Sequence, residues 1–230
     1  TAALHASLKL LDVGPGDLVL LPSLTFVASA NAIAHAGAEP LLVDSELGTL
    51  GIDVPKLAAF LEREARLEDR GGPTCVHVAT GRRIAAVMPV HILGHPCAME
   101  ELLAVAEHWS IPVLEDASES LGSFRGDRHT GTFGRLGVLS FNGNKIVTTG
   151  GGGAILTMDE ALGARAKHLT TTAKLPHRWD FDHDAIAFNY RMPNLNAALG
   201  CAQLELLPDF LAKKAALAAR YEAAFAGLLD

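Results

Sequence analysis

Apolar residues along the chain follow two rhythms. Short unbroken runs recur: LVLLP (18–22), EPLLVD (39–44), IAAVMPV (84–90), IPVLED (111–116), GVLSF (137–141) and GAILTM (153–158). They have strand length, are rich in Val, Ile and Leu, and predict strands buried on both faces. Between and after them, apolar residues recur three and four apart, in FVASANAIAHAG (26–37), VPKLAAFLEREARLE (54–68), AMEELLAVAEHW (98–109) and EALGARAKHL (160–169). That spacing predicts amphipathic helices. Strands alternating with helices imply an α/β fold, its mostly parallel sheet covered by helices on both sides. The polar, glycine-bearing segment EDRGGPTCVHVATGRR (68–83) reads as a surface connection.

Towards the C-terminus a polar stretch, TTTAKLPHRWDFDHD (170–184), precedes two helical patterns, and Pro208 marks the break between them. The opening TAALHASLKLL (1–11) is already helical, with no cap before it. The last pattern (208–230) is a long helix. The expectation is a fragment of a larger protein. Residues 1–207 would form a large domain and 208–230 would begin the helix leading to a further domain.

Composition narrows the class. The chain has 230 residues, 49% hydrophobic and 20% charged, enough for one large domain with a substantial core. A net charge of −7 argues against general binding to a nucleic-acid backbone. The apolar runs are too short to span a bilayer, and no charged leader with an apolar segment opens the chain. Cys75, Cys97 and Cys201 are widely spaced and form no CxxC. They suggest reduced thiols of a cytoplasmic protein, each a core filler.

In open α/β sheets ligands bind beyond the carboxyl ends of the strands. The polar residues there include Ser23, Ser45, His91, Glu115, Asp116 and the segment from Asn142 onward. Lys145 lies in SFNGNKIVTTGGGG (140–153). An amine held among small residues at a strand end can condense with a carbonyl; the alternative is a solvated surface lysine. Ser140 can donate to a phosphate, and Gly150 to Gly153 allow a flat ligand close to the backbone. The order GxxxxGK[ST] of a nucleotide P-loop is absent. Asp116, where IPVLED exits, can pair with a pyridinium nitrogen or merely cap a helix. His91, His95 and Cys97 have metal-like spacing, but HxxxH needs a helix, and Gly94 and Pro96 oppose one, so no metal is expected. Lys174, His177 and Arg178 could supply donors to a pyrophosphate, or simply belong to an exposed loop.

The order of VHILGHP (90–96), EDASESLGS (115–123), SFNGNK (140–145), TTGGGGAI (148–155) and NYRMPNLNAALG (189–200) resembles the DegT/DnrJ/EryC1/StrS family. PSLTFVASANAI (22–33) and GAEPLLVD (37–44) fit the same pattern. SFNGNK, TTGGGG, HTGTFG and HLTTTAK look most like the 4-aminotransferases of legionaminic-acid and related trideoxy-sugar pathways. The resemblance implies an aspartate-aminotransferase-like large domain (pyridoxal-phosphate fold type I), with a small C-terminal domain outside this chain. It implies transfer of an amino group, from glutamate, to a 4-keto-6-deoxy nucleotide sugar for surface polysaccharides. It also implies the cofactor pyridoxal 5'-phosphate and a homodimer with shared sites.

By the same resemblance, Lys145 would be the Schiff-base lysine and proton shuttle, and Asp116 would face the pyridine nitrogen. Glu119 would sit near the ring hydroxyl and Phe26 would stack on the ring. Ser140, with amides of Thr1 and Ala2 at a helix start, would bind the phosphate. Asn189, with Arg191 as the alternative, would reach the phosphate of the partner subunit. His91, Lys174, Arg178 and Arg191 are the candidate substrate contacts. Leu93 stands where many members carry an aromatic. Two other readings keep this fold: a sugar dehydratase, in which histidine replaces the lysine, and a regulatory protein without catalysis. A Rossmann-type oxidoreductase would want GxGxxG, and LVLLPSLTFVAS has none.

Overall fold

The computed structural model describes residues 1–228. In chain order it contains α1 (Ala2–Leu10), β1 (Leu18–Pro22), α2 (Val27–His35), β2 (Glu39–Val43) and α3 (Val54–Glu64), then β3 (Ala65–Asp69), β4 (Pro73–His77), β5 (Ile84–Val87) and α4 (Met99–His108). There follow β6 (Leu114–Asp116), β7 (Phe124–Arg125), β8 (Arg128–His129), β9 (Leu136–Ser140), β10 (Gly153–Leu156), α5 (Glu160–Thr170), α6 (Asn194–Glu205) and α7 (Leu207–Phe225).

Two three-stranded pieces, β2-β1-β5 and β10-β9-β6, join through parallel bridges Val87–Val113 and Val90–Asp116. Pairings in both pieces are parallel except β10 with β9. Successive strand residues point to opposite faces. Val19, Leu21, Leu114 and Val138 therefore pack with Leu4 and Leu8 of α1, Ile33 of α2 and Leu162 of α5. Leu18, Leu20 and Val113 pack on the other side with Leu57 and Leu61 of α3 and Leu102 of α4. Helices thus cover both faces, as the alternation predicts.

Some expectations change. The helix predicted over 54–68 stops at Glu64, because Ala65 is extended (φ −124°, ψ 161°). Residues 65–69 instead pair antiparallel with 73–77. The segment read as a surface connection is half of this hairpin. Asp69 closes its turn by accepting from the amides of Gly71 and Gly72, both at positive φ. β1 is buried along its whole length, but β2 is an edge strand and exposes most of its residues. Pro208 sits in the first turn of α7, where its missing N–H costs nothing. That helix has no buried residue and leaves Leu217, Tyr221 and Phe225 exposed. Cys75 and Cys97 are core residues, and burial pushes the Cys75 thiol up to about 12; Cys201, by contrast, is exposed. Among the described residues no helix is long and apolar enough to cross a membrane.

The end of β6 is held by a buried carboxylate. Glu115 is fully buried. Its Oε2 accepts from the Gly131 amide at 2.7 Å and lies 2.9 Å from His91 Nε2; its Oε1 accepts from the Gly134 amide at 2.6 Å. His91 Nδ1 accepts from the Cys97 amide at 3.1 Å, which leaves the ring proton on Nε2 to donate to Glu115. The His91 amide donates to the Asp116 carbonyl at 3.1 Å. Around this network the backbone is crowded: a Cβ on Gly137 would lie 1.9 Å from the Gly131 carbonyl oxygen.

Two outcomes follow for urea denaturation. Gly137→Ala should destabilise by about 3 kcal/mol, because backbone must move, while Gly14→Ala, with open space around it, should stay within about 0.5 kcal/mol. Glu115→Leu should cost about 3–5 kcal/mol by stranding buried donors.

Candidate active site

An open cleft of about 1330 Å³ is bordered by the start of α1, the ends of β9 and β10, the 140–153 loop and the segment around Asn189. Val138 and Ser140 line it, two residues apart and so on one face of β9. Asp116 is the parallel register partner of Val138 and shares that face; Glu115, one residue earlier, points the other way, into the buried network. Asp116 is 5% exposed. Its Oδ2 accepts from Ser29 Oγ at 2.7 Å and its Oδ1 from the Ser118 amide at 3.2 Å.

Lys145 also lines the cleft, its side chain 17% exposed. Its Nζ lies 3.4 Å from Glu119 Oε1, while Glu119 Oε2 accepts from the Leu93 amide at 2.9 Å. Leu93 is held left-handed (φ 53°) although its side chain is exposed. A non-glycine residue in that region costs of order 1 kcal/mol or more and persists where neighbours over-determine it. The Glu119 carboxylate is one such neighbour.

The glycine loop is tied on both sides. Phe141 donates its amide to Gly152, and Thr149 donates its own to Phe141. From α6, Asn196 Nδ2 donates to the Thr149 carbonyl at 2.5 Å, and Gln203 accepts from the Thr148 amide at 3.0 Å. Gly150 and Gly152 take positive φ (77° and 111°), which explains glycine at these turns. At the opposite wall α1 begins with Thr1 and Ala2 on the cleft and no side-chain cap, so first-turn amides lack intrahelical acceptors. Phe26, next to the first residue of α2, lines the cleft and is 70% exposed.

The cleft thus gathers Lys145, Ser140, Thr1, Ala2, Phe26, Asn189 and Arg191 from the sequence-predicted set, with Asp116 and Glu119 beside it. Three predicted contacts fall elsewhere. His91 is wholly buried with both ring nitrogens engaged by protein, so it has nothing to offer a substrate. Lys174 Nζ sits 3.8 Å from the centre of the Phe181 ring, and the Arg178 guanidinium lies 4.8 Å from that of Trp179. Neither lines the cleft. No cluster of metal-ligating side chains occurs among the described residues, and His91 and Cys97 serve the buried network instead. Sequence reasoning missed Ser29, Asn196 and Gln203. Ser29 carried a weak signal: it lies three residues from Phe26, one helical turn along α2.

Comparisons with known proteins bear on the family and the fold. The model of the DegT/DnrJ/EryC1/StrS aminotransferase family matches residues 1–229. Over 230 residues the chain is 39% identical to EpsN of Bacillus subtilis, described as a pyridoxal phosphate-dependent aminotransferase, covering 100% of this chain and 55% of that protein. Over 228 residues it is 38% identical to the GDP-perosamine synthase of Caulobacter vibrioides, covering 99% of this chain and 56% of that one. The crystal structure of the aminotransferase TlmJ from Streptoalloteichus hindustanus superposes with a TM-score of 0.84 at 31% identity, over 98% of this chain and 56% of that one. The chain therefore spans about half the length of the relatives it matches. These matches support the family, not the narrower likeness to legionaminic-acid enzymes. By its sequence along nearly its whole length and by its fold, the chain belongs to the DegT/DnrJ/EryC1/StrS aminotransferase family.

Proposed function

We propose that this protein is a pyridoxal 5'-phosphate-dependent aminotransferase. It would carry an amino group from an amino acid, glutamate by family likeness, to a 4-keto-6-deoxy nucleotide sugar, in the cytoplasm, for amino-sugar and surface-polysaccharide synthesis. The observation that carries the reading is that Lys145 lines the cleft and that Asp116 is the register partner of Val138, which lines the same cleft. Polysaccharide chemistry among the relatives and the GDP-perosamine synthases support the sugar assignment. The narrower legionaminic-acid assignment rests on SFNGNK, TTGGGG, HTGTFG and HLTTTAK alone.

The residues present fit such a cofactor in the chemistry of their donors. A phosphate needs several N–H and O–H groups, and the cleft offers the N–H groups where α1 begins, at Thr1 and Ala2, with the Ser140 hydroxyl. A flat ring needs an apolar face, and Phe26 leaves one uncovered. A ring nitrogen needs an anionic partner, and Asp116 is a carboxylate already braced by two donors. Pyridoxal phosphate supplies an electron sink for the carbanion formed at the amine-bearing carbon.

The chain's own groups would do the rest. Asp116 would hold a proton on the ring nitrogen. Lys145 would hold the cofactor covalently until the donor amine displaces it, and the freed Nζ would then carry the proton off the donor's α-carbon. Glu119, anchored by the Leu93 amide, would keep Lys145 and the ring hydroxyl in register. Asn189, with Arg191 as the alternative, would reach the phosphate of a partner subunit in a homodimer, and Arg191 remains the substrate contact on the cleft. The apolar side chains that α7 leaves in water support association of that kind. Residues 1–207 would be the large domain and the following helix the start of a further one. A dehydratase reading is disfavoured by Lys145, where that reaction would want histidine.

Adding pyridoxal phosphate to the protein should produce visible absorbance, and Lys145→Ala should abolish it. Borohydride treatment should then leave the cofactor fixed on the Lys145 peptide, as read by mass spectrometry. With both substrates varied, double-reciprocal plots should be parallel, and intersecting lines would exclude two-step transfer.

A further inference from the structure

Ser29 has no place in the site as sequence reading drew it, yet its geometry ties it to Asp116. The residue is wholly buried on α2. Its Oγ lies 2.7 Å from Asp116 Oδ2, across 87 residues of sequence, and 2.8 Å from Thr25 Oγ1. A hydroxyl has one proton, and a carboxylate only accepts. The Ser29 proton is therefore committed to Asp116, so in the Thr25–Ser29 contact Thr25 is the donor, its proton shared with the Phe26 carbonyl 3.2 Å away. The result is a directed chain, Thr25 O–H to Ser29 O–H to carboxylate, in which each bond polarises the next. Phe26 lies between these two residues in sequence, so the start of α2 carries both the exposed ring on the cleft and the donor to Asp116.

We infer that Ser29, backed by Thr25, is a positioning residue that sets how strongly Asp116 holds a proton on the nitrogen of a bound pyridine ring; this rests on the cofactor reading above. The physical argument is electrostatic. A hydrogen bond to a buried carboxylate stabilises its charged form and fixes which lone pairs remain free. With the Ser29 hydroxyl donating to it, the carboxylate draws less on the ring proton, which stays on the nitrogen. Without it, the carboxylate pulls harder on that proton, the ring withdraws fewer electrons, and the nitrogen linking Lys145 to the cofactor becomes more basic.

The test uses the protein loaded with pyridoxal phosphate and follows its visible absorbance across pH. Ser29→Ala should move the midpoint of the spectral change to higher pH by roughly half a unit and weaken cofactor retention roughly tenfold. Ser29→Thr, which restores a hydroxyl, should return the midpoint towards the original. Thr25→Val, at a half-buried position, should shift it the same way by less, and it keeps the proposal testable should Ser29→Ala fail to fold. A Ser29→Ala protein that melts earlier but titrates at the unaltered midpoint would show a purely structural serine and overturn the inference. So would an unshifted Thr25→Val protein where Ser29→Ala yields no folded sample. Absence of any visible band in the unsubstituted protein would instead overturn the cofactor reading on which the inference rests.

Discussion

The open end of the sheet is organised by two adjacent carboxylates that a strand sends in opposite directions. Glu115 enters the protein interior, where an ionised group is tolerated only if its lone pairs are filled. The loop carrying Gly131 and Gly134 and the His91 ring fill them. That requirement locks two separate segments to the end of one short strand. Asp116 inherits a fixed position on the cleft side because its neighbour cannot move without exposing or orphaning a charge. Gly131, Gly134 and Gly137 then read as clearances for this packing, since side chains at the latter two would collide with backbone carbonyls.

The cleft itself follows the reverse logic. Its groups are left partly unsatisfied: first-turn amides without acceptors, an aromatic ring largely in water, and a lysine amine only loosely paired at 3.4 Å. Leu93, held left-handed yet exposed, adds local strain beside them. An exposed ring beside free donors in an open cleft is the surface chemistry of a binding site rather than of a core. A bound phosphate and a flat ring would satisfy most of them at once. Rigid support sits one layer out, in the Ser29 hydroxyl, the Glu119 bridge and the α6 side chains that pin the glycine loop.

Much of this was legible along the chain. Unbroken Val/Ile/Leu runs alternating with amphipathic segments specify a covered parallel sheet, because nothing else buries both faces of such strands. The ordered motifs around Asp116, Ser140 and Lys145 located the candidate site, because ligands bind where strands end. The β3–β4 hairpin escaped the reading since ARLED continues a helical spacing, and only pairing with PTCVH makes it a strand.

The sequence by itself determined the layer order and pointed to the end of the sheet where the candidate site lies, with Lys145 and Asp116 as its proposed amine and carboxylate. Tertiary structure alone decided which polar residues face the cleft. His91 and Asp116 both stand at strand ends, yet one is sealed inside and the other borders the site. Ser29 and Asp116 lie 87 residues apart and meet only because α2, packed against β1 and β2, carries Ser29 to the end of β6. Local patterns record which groups a segment can bury. Which distant donor meets which acceptor is settled only when the sheet and its helices close around the same core.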